Sequence, residues 1–183
     1  MRLYYYFYWL AVGLLATAPF AGAQQPTVEQ VRQAFYQCTL NSASSDSLLQ
    51  QSATIEQPTP LIKAYIGATE AIKTQTKWNP YSKYACLKRS RKALNEAVSL
   101  DTSNVEIRFL RFSIQHHIPP WLGFSKQMEV DKAVILNNLL RYEAGTLNEK
   151  IRQYILTFLK VNEVYPAQQL TQITHRLFPE GQE

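Results

Sequence analysis

Helix start signals recur along this chain at short intervals and leave room for little besides helices. Thr59–Pro60 and Asn79–Pro80 each set a capping residue before proline at the first helical position, and Pro119–Pro120 and Pro166 open further segments. Thr27 with Gln30, Ser103 with Glu106 and Thr146 with Glu149 add three capping-box patterns, in which side chains satisfy backbone N–H groups that a helix start leaves unpaired. Between these starts apolar residues recur every third or fourth position, the period of a helix with one buried face.

The spacing predicts eight helices. The first runs from Thr27 to about Leu40 with Val28, Val31, Phe35 and Cys38 inward, and the second from Asp46 to Ile55, closed by the prolines of "EQPTP". The third, Pro60 to about Thr74, places Ile62, Tyr65, Ala68 and Ile72 on one face; the fourth, Tyr81 to Leu100, turns Tyr84, Leu87, Leu94, Ala97 and Val98 inward. The fifth starts at the Ser103 box and carries two apolar stripes, Val105, Phe109 and Phe112 on one side and Ile107, Leu110 and Ile114 on the other. It is therefore expected to be buried on two sides. The sixth is expected from Trp121 to about Tyr142, capped by Gly145. The seventh covers Leu147 to Glu163 with Ile151, Ile155, Phe158 and Leu159 inward, and the eighth Pro166 to Phe178 with Leu170, Ile173 and Leu177. Gly67 in the middle of the third helix costs helix stability against alanine, so a neighbouring helix is expected to cross closely there.

Eight helices with short connections read as four antiparallel hairpins, an all-α fold of the α-solenoid or compact-bundle kind. A length of 183 residues with 46% hydrophobic content suits one domain with a real core. The six glycines are scattered singly, which excludes phosphate-cradling loops and a turn-rich all-β design.

The first residues have a different character. Arg2 precedes an uncharged apolar stretch from Leu3 to Ala18, and "AGA" at Ala21 to Ala23 fits a small-x-small cleavage pattern. Residues 1–23 are expected to be a signal peptide cleaved before Gln24, leaving 24–183 as a single exported domain, periplasmic or extracellular. The alternative is an uncleaved anchor, for which the run is short. Loss of Arg2 lowers the formal charge from +5 to +4, a mildly basic balance that does not indicate a nucleic-acid partner.

Residues Leu61 to Asn104 resemble the tetratricopeptide repeat superfamily. Tyr65, Gly67 and Ala68 look like the aromatic and small positions of a repeat's first helix, and Leu94, Ala97 and "LDTSN" like the end of its second. The resemblance covers about a quarter of the chain. It departs from the pattern where "KTQTKWNPYSKY" stretches the spacing, and hairpin starts at Pro60, Asn104 and Thr146 stand 44 and 42 residues apart against about 34 for the family. It implies a tetratricopeptide-like scaffold without catalytic activity that presents a groove or face to a protein partner. "NVEIRFLR" also resembles uncharacterised exported bacterial proteins, which carries no known activity.

Four features could carry chemistry. His116 and His117 precede the two prolines; neighbours on a helix point about 100° apart, so a corner between helices is favoured over a metal site with Glu129 or Asp131. Trp121 and Phe124 are expected to pack under the preceding turn rather than form an exposed shelf. Arg108 and Arg111 share a helical face, and their expected role is structural pairing with Asp131 rather than recognition of an anionic ligand. From Lys73 to Lys92 the chain carries Lys73, Lys77, Lys83, Lys88, Arg89, Arg91 and Lys92 without one acid, interleaved with Trp78, Tyr81 and Tyr84. The bland reading is a solvated face; the sharper one is a patch for an anionic polymer or a membrane surface. Cys38 and Cys86 are expected to remain apart, because in a helical stack the first and fourth helices are not neighbours. No nucleotide-binding loop, H-E-x-x-H, C-x-x-C or G-x-S-x-G motif occurs, so no cofactor and no enzymatic activity are expected, the competing reading being an envelope hydrolase that uses acids or His117 in a cleft.

Overall fold

The computed structural model describes residues 25–143 and 145–179, so the expected signal peptide lies outside the described residues. Among them the fold is all-helical: α1 (Val28–Leu40), α2 (Ser45–Ser52), α3 (Pro60–Ile72), α4 (Pro80–Leu100), α5 (Val105–His116), α6 (Met128–Leu140), α7 (Glu149–Val161) and α8 (Ala167–Leu177), with no strand. Short 3₁₀ turns at Ser42–Ser44, Lys73–Thr76 and Pro120–Leu122 lie in three of the connections. No described helix is long and apolar enough to cross a membrane.

Local chemistry explains most boundaries. Thr27 and Gln30 form the full reciprocal box at the start of α1, and Thr59 and Asn79 cap α3 and α4 ahead of their prolines. Two starts differ by one or two residues from the expected ones. Asn104, not Ser103, caps α5, its Oδ1 accepting from Ile107 N at 3.1 Å while its Nδ2 donates to Asp101. Asn148, not Thr146, caps α7, and the Thr146 hydroxyl donates back to the Glu143 carbonyl.

The sixth helix differs most. Instead of running from Trp121, the chain makes one 3₁₀ turn, and Gly123 then takes φ +72°, a left-handed conformation that ends it. Helix α6 begins only at Met128 and stops at Leu140, so Gly145 sits in the following connection rather than on its end. This detour drives Phe124 inward, 3% exposed, and leaves Trp121 81% exposed, contrary to the packing expected of it.

Hairpins α3–α4, α5–α6 and α7–α8 pack face to face, while α1 and α2 both lie on α3. α1 packs on α3 and α3 on α5, whereas the last hairpin meets the one before it through α6 on α8 and through the rings of Phe109, Tyr154 and Phe158 between α5 and α7. The row curls far enough for α1 to meet α7, with the Tyr36 and Tyr154 rings 5.5 Å apart and edge-on.

Two apolar clusters form the core, and α5 serves both. Ile107 and Leu110 belong to the cluster under α1 to α4, with Ile114 packed against it; Phe109 and Phe112 belong to the cluster under α6 to α8, with Val105 against it. The two-stripe reading of α5 therefore describes the observed packing residue for residue. The close crossing inferred at Gly67 is also present: a Cβ there would lie 2.9 Å from Leu94 Cγ and 3.1 Å from Leu94 N.

Candidate functional site

At 100° per residue, the two stripes of α5 are separated by two polar seams on opposite sides of the helix. Glu106 lies on one, and Arg108, Arg111 and Gln115 on the other, and all four are buried. Each seam holds an ionic network.

On the first seam Arg32 of α1 grips Glu106 with two parallel bonds, Nε to Oε1 at 2.9 Å and Nη2 to Oε2 at 3.0 Å. The Tyr65 hydroxyl of α3 donates to the same carboxylate, and Arg32 also pairs with Glu29. Burial opposes the charge on Arg32, but the Glu106 carboxylate outweighs it and raises the guanidinium pKa further. Burial and then the Glu106 charge push the Tyr65 phenol well above its usual range, and the same two causes push Tyr36 up to about 12. A general acid or base works best with a pKa near the working pH. These shifts run the other way, holding Arg32 and both phenols in their ordinary protonated forms, so the cluster ties α1, α3 and α5 together. It was missed in the sequence because Arg32 and Glu106 are 74 residues apart and neither fits a motif.

The second seam brings together the expected trio. Arg111 donates from Nε to Asp131 Oδ2 at 2.7 Å and from Nη2 to Oδ1 at 2.6 Å, and Arg108 Nη1 donates to Oδ1 at 2.9 Å. Asp131 is 0% exposed. Two further donors are occupied, Arg111 Nη1 by Asn95 Oδ1 and Arg108 Nε by the Thr102 carbonyl, so α5 and α6 meet at one carboxylate and α4 joins them through Asn95.

An apolar groove of about 330 Å³ opens on the inner face where the chain curls, floored by Phe35, Ile72, Leu110, Ile114, Tyr154 and Phe158. Thr39, Gln75 and His117 stand on its rim. His117 Nδ1 lies 2.8 Å from the Ser113 carbonyl, and His116 packs edge-on to Phe158, so the histidine pair lies at the corner after α5. No group of three or more His, Cys, Asp or Glu among the described residues is placed to hold a metal ion. A second opening, at the far end of the inner helices, is polar and is lined by Arg32, Glu106, Asn138 and Arg141.

The basic run divides into two kinds of residue. Lys73 pairs with Asp46, Lys77 stands 3.9 Å from it, and Arg89 is held by Glu70 at 2.9 Å. Lys83, Lys88, Arg91 and Lys92 are exposed on α4 and make no ion pair among the described residues. Around them stand Trp78 at 98% exposure and Tyr81 at 86%; Tyr84, expected inward, is instead exposed beside Phe124. Arg91 lies over the Phe124 ring at 4.7 Å from its centroid, which seats the turn carrying Trp121 against α4.

Cys38 and Cys86 are both buried free thiols. Burial pushes the Cys38 thiol up, and Cys86 accepts a contact from Arg89. Comparison of the chain with protein-family models, curated proteins and solved structures finds no match, and the functional argument rests on this geometry.

Proposed function

We propose that this is an exported, non-enzymatic interaction module of the cell envelope, a tetratricopeptide-like stack whose inner groove receives apolar side chains of a protein partner. The observation that supports this reading is the groove itself. Its volume of about 330 Å³ is at the small end of ligand pockets, room for a few side chains of an extended segment rather than a large cofactor. Its floor comes from α1, α3, α5 and α7 together, so it exists only in the assembled stack. The titratable side chains that line it support the non-enzymatic reading: His117 is turned to a backbone carbonyl, and burial pushes the Tyr154 phenol up, away from the range of a general acid or base.

A photo-crosslinking residue at Thr39 or Gln75 on the rim tests the reading in an envelope extract, with the same residue at Lys160 as the control. The rim positions are expected to capture one defined protein that the control does not, and Ser113→Phe, which fills the groove wall, is expected to abolish capture. Equal labelling at all three positions, or turnover of a substrate library by the purified protein, overturns the proposal.

A further inference from the structure

The exposed side of α4 poses a separate problem: three large aromatic rings stand in water beside three cations, Lys88, Arg91 and Lys92, that have no carboxylate partner among the described residues. Trp78 leaves the turn before α4, Tyr81 lies on its first turn, and Trp121 projects from the 3₁₀ turn that Phe124 anchors beside Tyr84 and Arg91. No Asp or Glu occurs between Glu70 and Glu96, nor between Glu106 and Glu129, so both segments contribute only positive charge, Lys126 included. Indole and phenol rings combine an apolar body with one polar N–H or O–H, which suits the headgroup layer of a bilayer. Lysine stems reach outward past such rings and keep the ammonium at the phosphate level.

We infer that this face, formed by Trp78, Tyr81, Trp121, Lys88, Arg91 and Lys92, docks the protein on the surface of a bilayer containing anionic phospholipid. The arrangement of the rings favours a surface over a soluble polyanion. Trp78, Tyr81 and Trp121 stand exposed and line neither of the openings described above, which suits contact with a surface better than stacking along a threaded strand.

An apolar N-terminal stretch binds bilayers by itself, so the experiment uses the chain from Gln24 onward, which holds all eight described helices and is first checked for its helical spectrum by circular dichroism. Of the three tryptophans only Trp78 and Trp121 remain in it, and their emission reports on this face alone. Co-sedimentation with phosphatidylglycerol-rich vesicles is expected, with a blue shift of the emission, and much weaker binding to phosphatidylcholine vesicles. Each positive charge near an anionic surface contributes about fivefold, so Lys88→Glu with Lys92→Glu, a change of four charge units, is expected to weaken binding by on the order of several hundredfold. Trp78→Ser with Trp121→Ser is expected to weaken binding while preserving the helical spectrum. Equal binding to both vesicle types, unchanged binding of the charge-reversed variant, or retention on heparin without any vesicle binding overturns the inference, the last outcome assigning the face to a soluble polyanion.

Discussion

Replacing Gly67 by alanine sets two opposed effects against each other, and the structure decides which is larger. Alanine in a helix interior is more stable than glycine by about 0.5–1 kcal/mol. Against this, the new methyl would stand 2.9 Å from Leu94 Cγ and 3.1 Å from Leu94 N, and Leu94 is buried in the crossing of α3 and α4. A backbone nitrogen cannot rotate away, so α4 must shift or Leu94 must leave its rotamer, and overpacking of this kind costs about 1–3 kcal/mol. The expected net result is a loss of about 1 kcal/mol, equivalent to about 3 °C in Tm for a chain of this size. Urea unfolding followed by circular dichroism, with the slope unchanged, measures it. The cause is isolated by a double-mutant cycle: in a Leu94→Ala background the nearest contact is gone, and the same substitution is expected to cost about 1 kcal/mol less. If Gly67→Ala instead stabilises the protein by the full helix-propensity increment, or if the two substitutions add independently, the close-crossing argument is refuted.

Three further outcomes follow from the buried polar groups. Asp131→Ala leaves two buried guanidinium groups without their carboxylate and is expected to cost about 3–5 kcal/mol, whereas replacing Arg108, Arg111 and Asp131 together by Met, Leu and Leu is expected to cost far less; equal losses in denaturant titrations refute the pairing argument. Tyr36 and Tyr65 have folded pKa values raised above the unfolded one, so the stability they contribute is complete below about pH 10 and declines as pH rises through the folded values, for Tyr36 about 12. Unfolding curves across alkaline pH are expected to show that decline, with phenolate absorbance of these two rings delayed relative to the exposed tyrosines; a flat profile counts against the cluster. A thiol titration is expected to find two reactive groups per chain after denaturation without reductant, and slow reaction of both in the native protein, since both are buried and unbonded.

The helices were legible because their signals are local. Caps, prolines and the apolar period all act within a few residues, and α5 carried enough of them to show both of its buried sides. One- and two-residue errors arose where two good caps compete: Ser103 and Asn104 are comparable as capping residues, and the bond from Asn104 to Asp101 tips the choice. The α6 error is different in kind. Pro119 and Pro120 were read as opening a long helix, but Gly123 permits a left-handed turn that lets Phe124 reach Tyr84 and Arg91, a gain available only once α4 is in place. The Arg108–Arg111–Asp131 trio was accessible because all three lie in one hairpin, and the Arg32–Tyr65–Glu106 cluster was not, because its members come from three helices. Exposure of Trp121 likewise depends on which ring of the turn fills the slot on α4, and periodicity is silent on that competition.

The two seams of α5 explain how a helix buried on several sides keeps one orientation. Its two apolar stripes, Val105, Phe109 and Phe112 against Ile107, Leu110 and Ile114, differ in shape, but apolar burial is non-directional, so a rotated α5 would still bury apolar surface on both sides. The charged residues between the stripes are not interchangeable in this way. A rotation that moved Glu106 away from Arg32 and Tyr65 would at the same time pull Arg108 and Arg111 off Asp131, leaving several ions buried and unpaired. Since the networks lie on opposite sides of the helix and reach α1 and α3 on one side and α4 and α6 on the other, they fix the angle between the early and late hairpins. That angle decides whether α1 meets α7 and hence whether the groove between them exists. The ionic residues of α5 therefore help to hold the curvature that forms the groove without lining it themselves.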